Sequence, residues 1–346
     1  MSQHRFHNFT AVLSCYSGRY HPLRMVPLGT TGGFSGAVIV RVETELGDYC
    51  LRGWPVKSLP RNRILGLHRF LSSVFQQGVT QAAVPVSAES GSTLVVVQDR
   101  FWQLEPWMPG AADFHDNPSD VRLAETMACL ARWHRAASLF SPQPEEREWF
   151  FCKSNAHSPA VIERLEMIRE WTEGKSLLLK QAMSRSGDPL FREVAEEIVQ
   201  RFDRLAPSLT RQMEAAVRVP FELQPCLRDI WHDHVLFSGD EVTGLIDASA
   251  CRGENVAADL SRLLGSFVGD DRSRWDFALE EYARHRPLSV DEEGLVVVLD
   301  RSGVLLSGMT WLDRYFLQRE RFGNEPAILE RLETIFKRLE FLETRR

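Results

Sequence analysis

Apolar and polar positions change period along this chain. From Val26 to about Arg100 they alternate, the period of strands with one buried face. "PLGTTGGFSGAVIVRVET" gives a glycine-rich turn followed by an alternating run, and "GDYCLRGWP" gives a second short strand after a turn at Gly47 and Asp48. "STLVVVQDRFWQLEPWMPG" gives two more strands that turn near Asp99 and Arg100. One interruption has helical spacing: Ile64, Leu67, Leu71, Val74 and Phe75 fall on one face over residues 60–77, and Gly78 is placed to stop that helix. Residues 1–25 read as a leader containing at most a short helix.

Beyond Gly110 the helical period takes over. Ser119 stands where a cap belongs, and Leu123, Met127, Leu130 and Trp133 then line one side of a helix. Residues 158–216 hold two or three charged helices, separated by the Ser/Gly-rich stretch 184–190. Strand-like spacing returns over 226–247, and the chain is helical again from Asp259 to its end. The expected organisation is an N-lobe over 1–105, a sheet with one helix, and a mainly helical C-lobe over 106–346 that contains a short hairpin.

That hairpin carries the chemistry. In "LRDIWHDHVLFSGDEVTGLIDAS" (227–249), Asp229, His232, Asp233, His234 and Asp247 stand around two apolar runs. "HVLF" and "VTGLID" read as strands joined by a turn at "SGDE", which lets Asp229, His234 and Asp247 converge at one end. A carboxylate there can orient a substrate hydroxyl or take its proton. A second carboxylate with a neighbouring ligand can hold a divalent cation. Together these are the parts phosphoryl transfer uses. The H-x-H pair His232 and His234, with Asp233 between them, is the alternative, a zinc-type arrangement. His234 also suits a hydrogen-bonded structural role, Arg52 a strand-face arginine paired to an acid, and Asp247 a turn residue.

Composition narrows the rest. The chain has 346 residues, 44% hydrophobic and 25% charged, with a net charge of −6. An acidic balance argues against a protein built to grip nucleic-acid backbone. Its six cysteines are scattered without a CxxC, which points to free thiols rather than a disulfide scaffold. No uninterrupted apolar run reaches the roughly 20 residues of a membrane span, and the first residues lack a signal-peptide layout. The expectation is a cytoplasmic protein without a membrane segment.

The 227–260 region resembles the catalytic core of the aminoglycoside phosphotransferase / choline kinase family, small-molecule kinases related to protein kinases. That family's pattern is H-G-D-x-x-x-x-N, an apolar strand, a turn and an apolar strand ending in I-D. The resemblance places Asp229 on the catalytic aspartate and Asp247 on the metal-binding aspartate, with no gap between them. Asp259 in "AADLSRLL" falls on a structural aspartate, and His134 lies in the family's "LaxLH" helix. Further toward the start, "GTTGGFSGAVIVRV" is similar to the nucleotide-covering loop, placing Gly29, Gly32 and Gly33 over the phosphates. "YCLRGW" puts Arg52 at the phosphate-anchoring position, and "LEPWMPG" puts Glu105 and Trp107 at the adenine-facing hinge. Four positions of the family's motifs differ here: Leu227 replaces the histidine, Arg228 the glycine, His234 the metal-binding asparagine and Arg52 the lysine. The helix that supplies the lysine's acidic partner offers His68 instead, with no acid between Arg61 and Gln77.

The resemblance therefore implies an α+β, two-lobed protein-kinase-like fold with an antiparallel-sheet N-lobe and a mainly helical C-lobe. It implies an ATP- and Mg2+-dependent kinase that phosphorylates a hydroxyl of a small molecule, with Asp229 as base, Asp247 and His234 on the metal and Arg52 on the phosphates. The altered positions support the alternative of a catalytically weak or inactive kinase-like protein that binds nucleotide or another ligand.

Overall fold

The computed structural model describes residues 9–28, 36–56, 58–185, 189–320 and 325–344. Its chain falls into two compact units. One comprises Met1–Cys152, Asp229–Gly253 and Glu280–Arg286; the other comprises Lys153–Arg228, Glu254–Leu279 and Pro287–Arg346. The chain thus leaves the first unit after residue 152 and returns to it for the hairpin region.

The first unit is built on an antiparallel sheet of five strands: β1 (Arg24–Leu28), β2 (Val38–Thr44), β3 (Gly47–Gly53), β4 (Val95–Val97) and β5 (Arg100–Pro106), in the order β1-β2-β3-β5-β4. A two-residue turn closes β2 onto β3, where Gly47 takes a φ of 116°. The turn between β4 and β5 uses Gln98 and Asp99, both at positive φ, the twist a tight hairpin needs. Helix α1 (Arg61–Gln76) buries Ile64, Leu67, His68, Leu71 and Val74. Gly78 follows at φ 91°, where a residue with a Cβ would be strained.

The leader expected over residues 1–25 is, from residue 9 onward, part of the core. Phe9, Val12, Leu13, Tyr16 and Tyr20 are buried together with Val40, Val42, Leu51, Trp102 and Leu104 of the sheet. Phe9 meets Trp102 edge-on and Tyr20 meets Tyr49 edge-on. Spacing of three and four between apolar residues, here Phe9, Val12, Leu13 and Tyr16, is the ordinary mark of a one-sided helix.

Helix α2 (Asp120–Ala137) starts at Ser119, whose hydroxyl accepts from the Arg122 amide at 3.1 Å. Leu123, Met127, Leu130 and Trp133 are fully buried, as the spacing requires. Arg122 is also fully buried. It stacks over the Phe237 ring, 3.9 Å to the centroid, and bonds the Asp113 carboxylate and the carbonyls of Asp113 and Asn117. The 113–117 loop is thereby fastened to the start of α2 and to the hairpin.

The second unit is mainly helical, with strand Lys153–Ala156 paired antiparallel to Phe221–Cys226. Buried Glu254 organises its first helix, Pro159–Glu170, by accepting from the Ser158 hydroxyl and the Ala160 amide, each at 2.6 Å. At its centre lies Val290–Leu312, packed by helices Pro189–Val217, Ala257–Phe267 and Glu325–Glu343. An 18-residue window within Val290–Leu317 is long and apolar enough, by length and composition, to cross a membrane, with a mean hydropathy of 1.4. Of that window 67% is buried inside the protein, as expected for a core helix.

Candidate active site

Arg52 lies on β3, and its strand partner sets what surrounds it. In the β3–β5 register Arg52 faces Gln103 and Cys50 faces Glu105. Alternation puts all four side chains on one face of the sheet, with Glu105 diagonal to Arg52. The Arg52 Nε lies 3.8 Å from Glu105 Oε1, and its Nη1 donates to Asp247 Oδ1 at 2.9 Å. Burial disfavours the guanidinium charge, but the carboxylates of Asp247 and Glu105 outweigh burial and raise the Arg52 pKa. Burial raises Glu105 above the usual carboxylate range, against the opposing pull of Arg52 and a hydrogen bond from Gln103. Burial also acts on Asp247, yet the nearby Arg52 charge and hydrogen bonds from Ser249 and Arg52 prevail and hold it at about 2. Asp247 is therefore ionised throughout the physiological range. These groups line a pocket with Trp54, Leu67, Leu71, Leu245 and Ser249.

The segment from 227 to 247 brings the second carboxylate. Leu227 and Arg228 donate their amides to the Asp259 carboxylate at 2.8 and 2.5 Å, so Asp259 shapes the entry to the loop. Arg228 sits at φ 64°, the left-handed region, where an arginine costs about 1 kcal/mol that a glycine would not. Its guanidinium pairs with Glu163 at 2.9 Å. Asp229 follows and is exposed, while Ile230 beside it is buried and anchors the loop. A short 3-10 turn, His232–His234, then leads into the hairpin of Val235–Ser238 and Glu241–Leu245.

His234 ties the two ends of this segment together. Its Nδ1 bonds the Asp229 carbonyl at 2.8 Å, and its own carbonyl accepts the Ile246 amide at 3.0 Å. Nε2 accepts from the Trp231 indole N–H at 2.9 Å. An indole nitrogen only donates and a carbonyl only accepts, so the imidazole is the neutral Nδ1–H form with both nitrogens engaged. Neither has a lone pair to offer a cation in this arrangement. His232 lies 3.4 Å from Asp233 and meets the His115 ring at 4.4 Å between centroids.

Arg52, Glu105 and Asp247 thus meet through their side chains, and the Asp229 backbone is tied to the same segment through His234. Trp107 stands at the end of β5. Its amide donates to the Asp48 carbonyl at 3.0 Å, and its ring carries the Arg41 guanidinium at 5.2 Å. Gly29, Gly32 and Gly33 lie outside the described residues. Sequence reasoning missed Gln103, Trp54 and Thr93, the polar groups behind Arg52 and Glu105. Their one available signal was a glutamine set between the apolar Trp102 and Leu104 of β5.

The residues present suit a divalent cation in part. Asp247 offers a hard, permanently ionised oxygen donor of the kind Mg2+ takes, and Asp229 stands on the same loop system. His234 is committed to its two neighbours.

The profile of the phosphotransferase enzyme family (APH) matches residues 29–290, about three-quarters of the chain. No curated protein sequence matches it. Among solved structures, spectinomycin phosphotransferase APH(9)-Ia in complex with ADP and spectinomycin aligns with a TM-score of 0.68 at 13% identity, over 97% of this chain and 93% of the other. Amicoumacin kinase in complex with AMP-PNP, Ca2+ and Ami aligns with a TM-score of 0.61 at 14% identity, over 97% and 94%. The aminoglycoside phosphotransferase from Alicyclobacillus acidocaldarius subsp. acidocaldarius DSM 446 aligns at 0.59 and 17% identity, over 97% and 95%. At these identities the likeness is one of fold, and it agrees with the α+β kinase-like architecture expected from the sequence. With a family profile spanning both the sheet and the hairpin, the chain belongs to the phosphotransferase enzyme family.

Proposed function

We propose that this protein transfers the γ-phosphoryl group of ATP to a hydroxyl of a small molecule. The observation that carries this reading is the hydrogen-bonded run from the Asp229 carbonyl through His234 to Ile246, beside Asp247, which is itself paired to Arg52. Asp229 orients the acceptor hydroxyl and takes its proton as the oxygen attacks the γ-phosphorus and the bond to the β-phosphate oxygen breaks. Asp247 is the protein's ligand for Mg2+, which when bound neutralises charge on the phosphate oxygens. Arg52 steadies the phosphates, and Glu105 and Trp107 stand at the edge where the sheet strand ends. The Trp107 amide is committed to Asp48, which leaves its carbonyl for a base. The sequence expectation of His234 on the metal is not carried into this reading, because both of its ring nitrogens are occupied.

A relative crystallised with ADP and spectinomycin, and another with AMP-PNP, Ca2+ and Ami, support nucleotide as donor and a small molecule as acceptor. The test is ADP release from ATP and Mg2+ over a panel of amino sugars, amino alcohols and cyclitols. Acceptor-dependent turnover is expected, with Asp229→Asn lowering kcat by about 10²–10⁴ while ATP affinity holds. A second reading, a kinase-like protein that binds nucleotide without efficient transfer, is favoured by the occupied His234. ATP binding without turnover on any acceptor would select it.

A further inference from the structure

We propose that Glu105 is the positioning residue for Arg52, holding the guanidinium toward the phosphates as the forward end of a relay that runs from Thr93 through His68 of helix α1 and Gln103. This inference rests on the reading of the pocket as an ATP site.

Arg52 has two acidic neighbours, and they are not equivalent. Asp247 is the one a cation would claim. A guanidinium paired only with that carboxylate would lose its partner when the cation binds. Glu105 is then the acid left beside it, placed diagonally across the β3–β5 register at 3.8 Å from Nε. That Nε is buried and makes no hydrogen bond among the described residues. A small turn of the Glu105 carboxylate satisfies it and gives Arg52 a paired Nε, with its terminal nitrogens available to phosphate oxygens.

The groups behind Glu105 have one consistent hydrogen-bonding pattern. Gln103 Nε2 donates to Glu105 Oε2 at 2.5 Å. Gln103 Oε1 accepts from the Trp54 indole at 2.7 Å, which fixes which end of the amide is oxygen. The same Oε1 lies 2.8 Å from His68 Nε2, so that nitrogen carries the proton. His68 Nδ1 then accepts from the Thr93 hydroxyl at 2.7 Å. Thr93, His68, Gln103 and Glu105 therefore form a single directed chain of donors that ends on the carboxylate next to Arg52. Every link in it has a defined donor and acceptor, and such a chain holds its members in place.

The experiment compares ATP and adenosine binding by calorimetry in wild type and Glu105→Gln. A residue acting through Arg52 matters to phosphates only. The expected result is ATP affinity weakened about tenfold, adenosine affinity within twofold, and KM for ATP raised more than kcat is lowered. Equal weakening for both ligands would make Glu105 a base contact or a purely structural residue and overturn the proposal. Unchanged ATP affinity would overturn it as well, leaving the ATP-site reading intact. Wild type that binds no ATP would remove that reading and this proposal together. Should the glutamine fail to fold, Glu105→Met fills similar space without a polar group and is held to the same criteria.

Discussion

Arg52 and Asp247 are 195 positions apart in sequence and 2.9 Å apart between Nη1 and Oδ1. This one ion pair closes the middle of the sheet onto the end of the hairpin, and its side chains are 13% and 32% exposed. The pair is thus shielded enough to matter for stability and open enough for a ligand to break.

Replacing Asp247 with asparagine leaves the guanidinium partly unpaired. The expected cost is about 1–3 kcal/mol, below the range for fully buried pairs because water reaches Asp247. The folded carboxyl titrates at about 2 against an ordinary value of 3.8. A depressed acid stabilises the fold above its unfolded value, and that contribution is lost as pH falls from about 4 to about 2. Urea unfolding across this window should show a steeper loss in wild type than in Asp247→Asn.

His68 gives a second, separate pH dependence. Burial drives its imidazole down to about 4 from 6.5, against the opposing effect of its bond to Gln103. The unfolded chain takes up a proton between those values and the folded one does not. Stability is therefore full above pH 6.5 and falls by about 3 kcal/mol as pH drops to 4. In His68→Gln that part of the slope should vanish, which urea midpoints between pH 7 and 4 would read directly.

His234→Asn separates positioning from metal binding. Asparagine cannot span from the Asp229 carbonyl to the Trp231 indole, so the loop loses a tie. It does bring an amide oxygen, a better donor for a hard cation. The Mg2+ concentration for half-maximal turnover should fall several-fold while kcat drops about tenfold. A rise in required Mg2+ would mean that the imidazole binds the cation in the working enzyme.

Gly110 is held at φ 96°, and a Cβ there would lie 2.4 Å from the Phe237 carbonyl oxygen. Around it Ala111 and Phe237 exchange two backbone hydrogen bonds of 2.9 Å, and Thr243 donates to the Pro109 carbonyl. Gly110→Ala must open this junction. A loss of about 2–4 kcal/mol in unfolding free energy is expected, from backbone strain plus the displaced bonds.

Local signals in the sequence carried helix α1 with its Gly78 stop, the Ser119 cap and the Val235–Leu245 hairpin, because period and turn chemistry are written within a few residues. The approach of Asp229 and Ile246, each hydrogen-bonded to His234, was legible for the same reason, since one hairpin produces it. Glu105 was not legible in its observed setting. Its proximity to Arg52 depends on a register between strands fifty residues apart, which no local pattern encodes. The engagement of His234 by Trp231 depends on one 3-10 turn that curls the two rings together. The burial of Phe9, Val12, Leu13 and Tyr16 had a signal in their spacing, and only the shortness of the run hid it.

The apolar helix Val290–Leu317 has a consequence for how this chain is made. Its apolar window is covered from both sides of the sequence, by residues 189–217 and 257–267 before it and 325–343 after it. During synthesis the last of that cover emerges after the window itself. A nascent chain paused at that point would show an insertion apparatus or a chaperone the same face it later hides. Truncations between residues 317 and 325 should therefore aggregate or mislocalise, even though they spare every group in the proposed site.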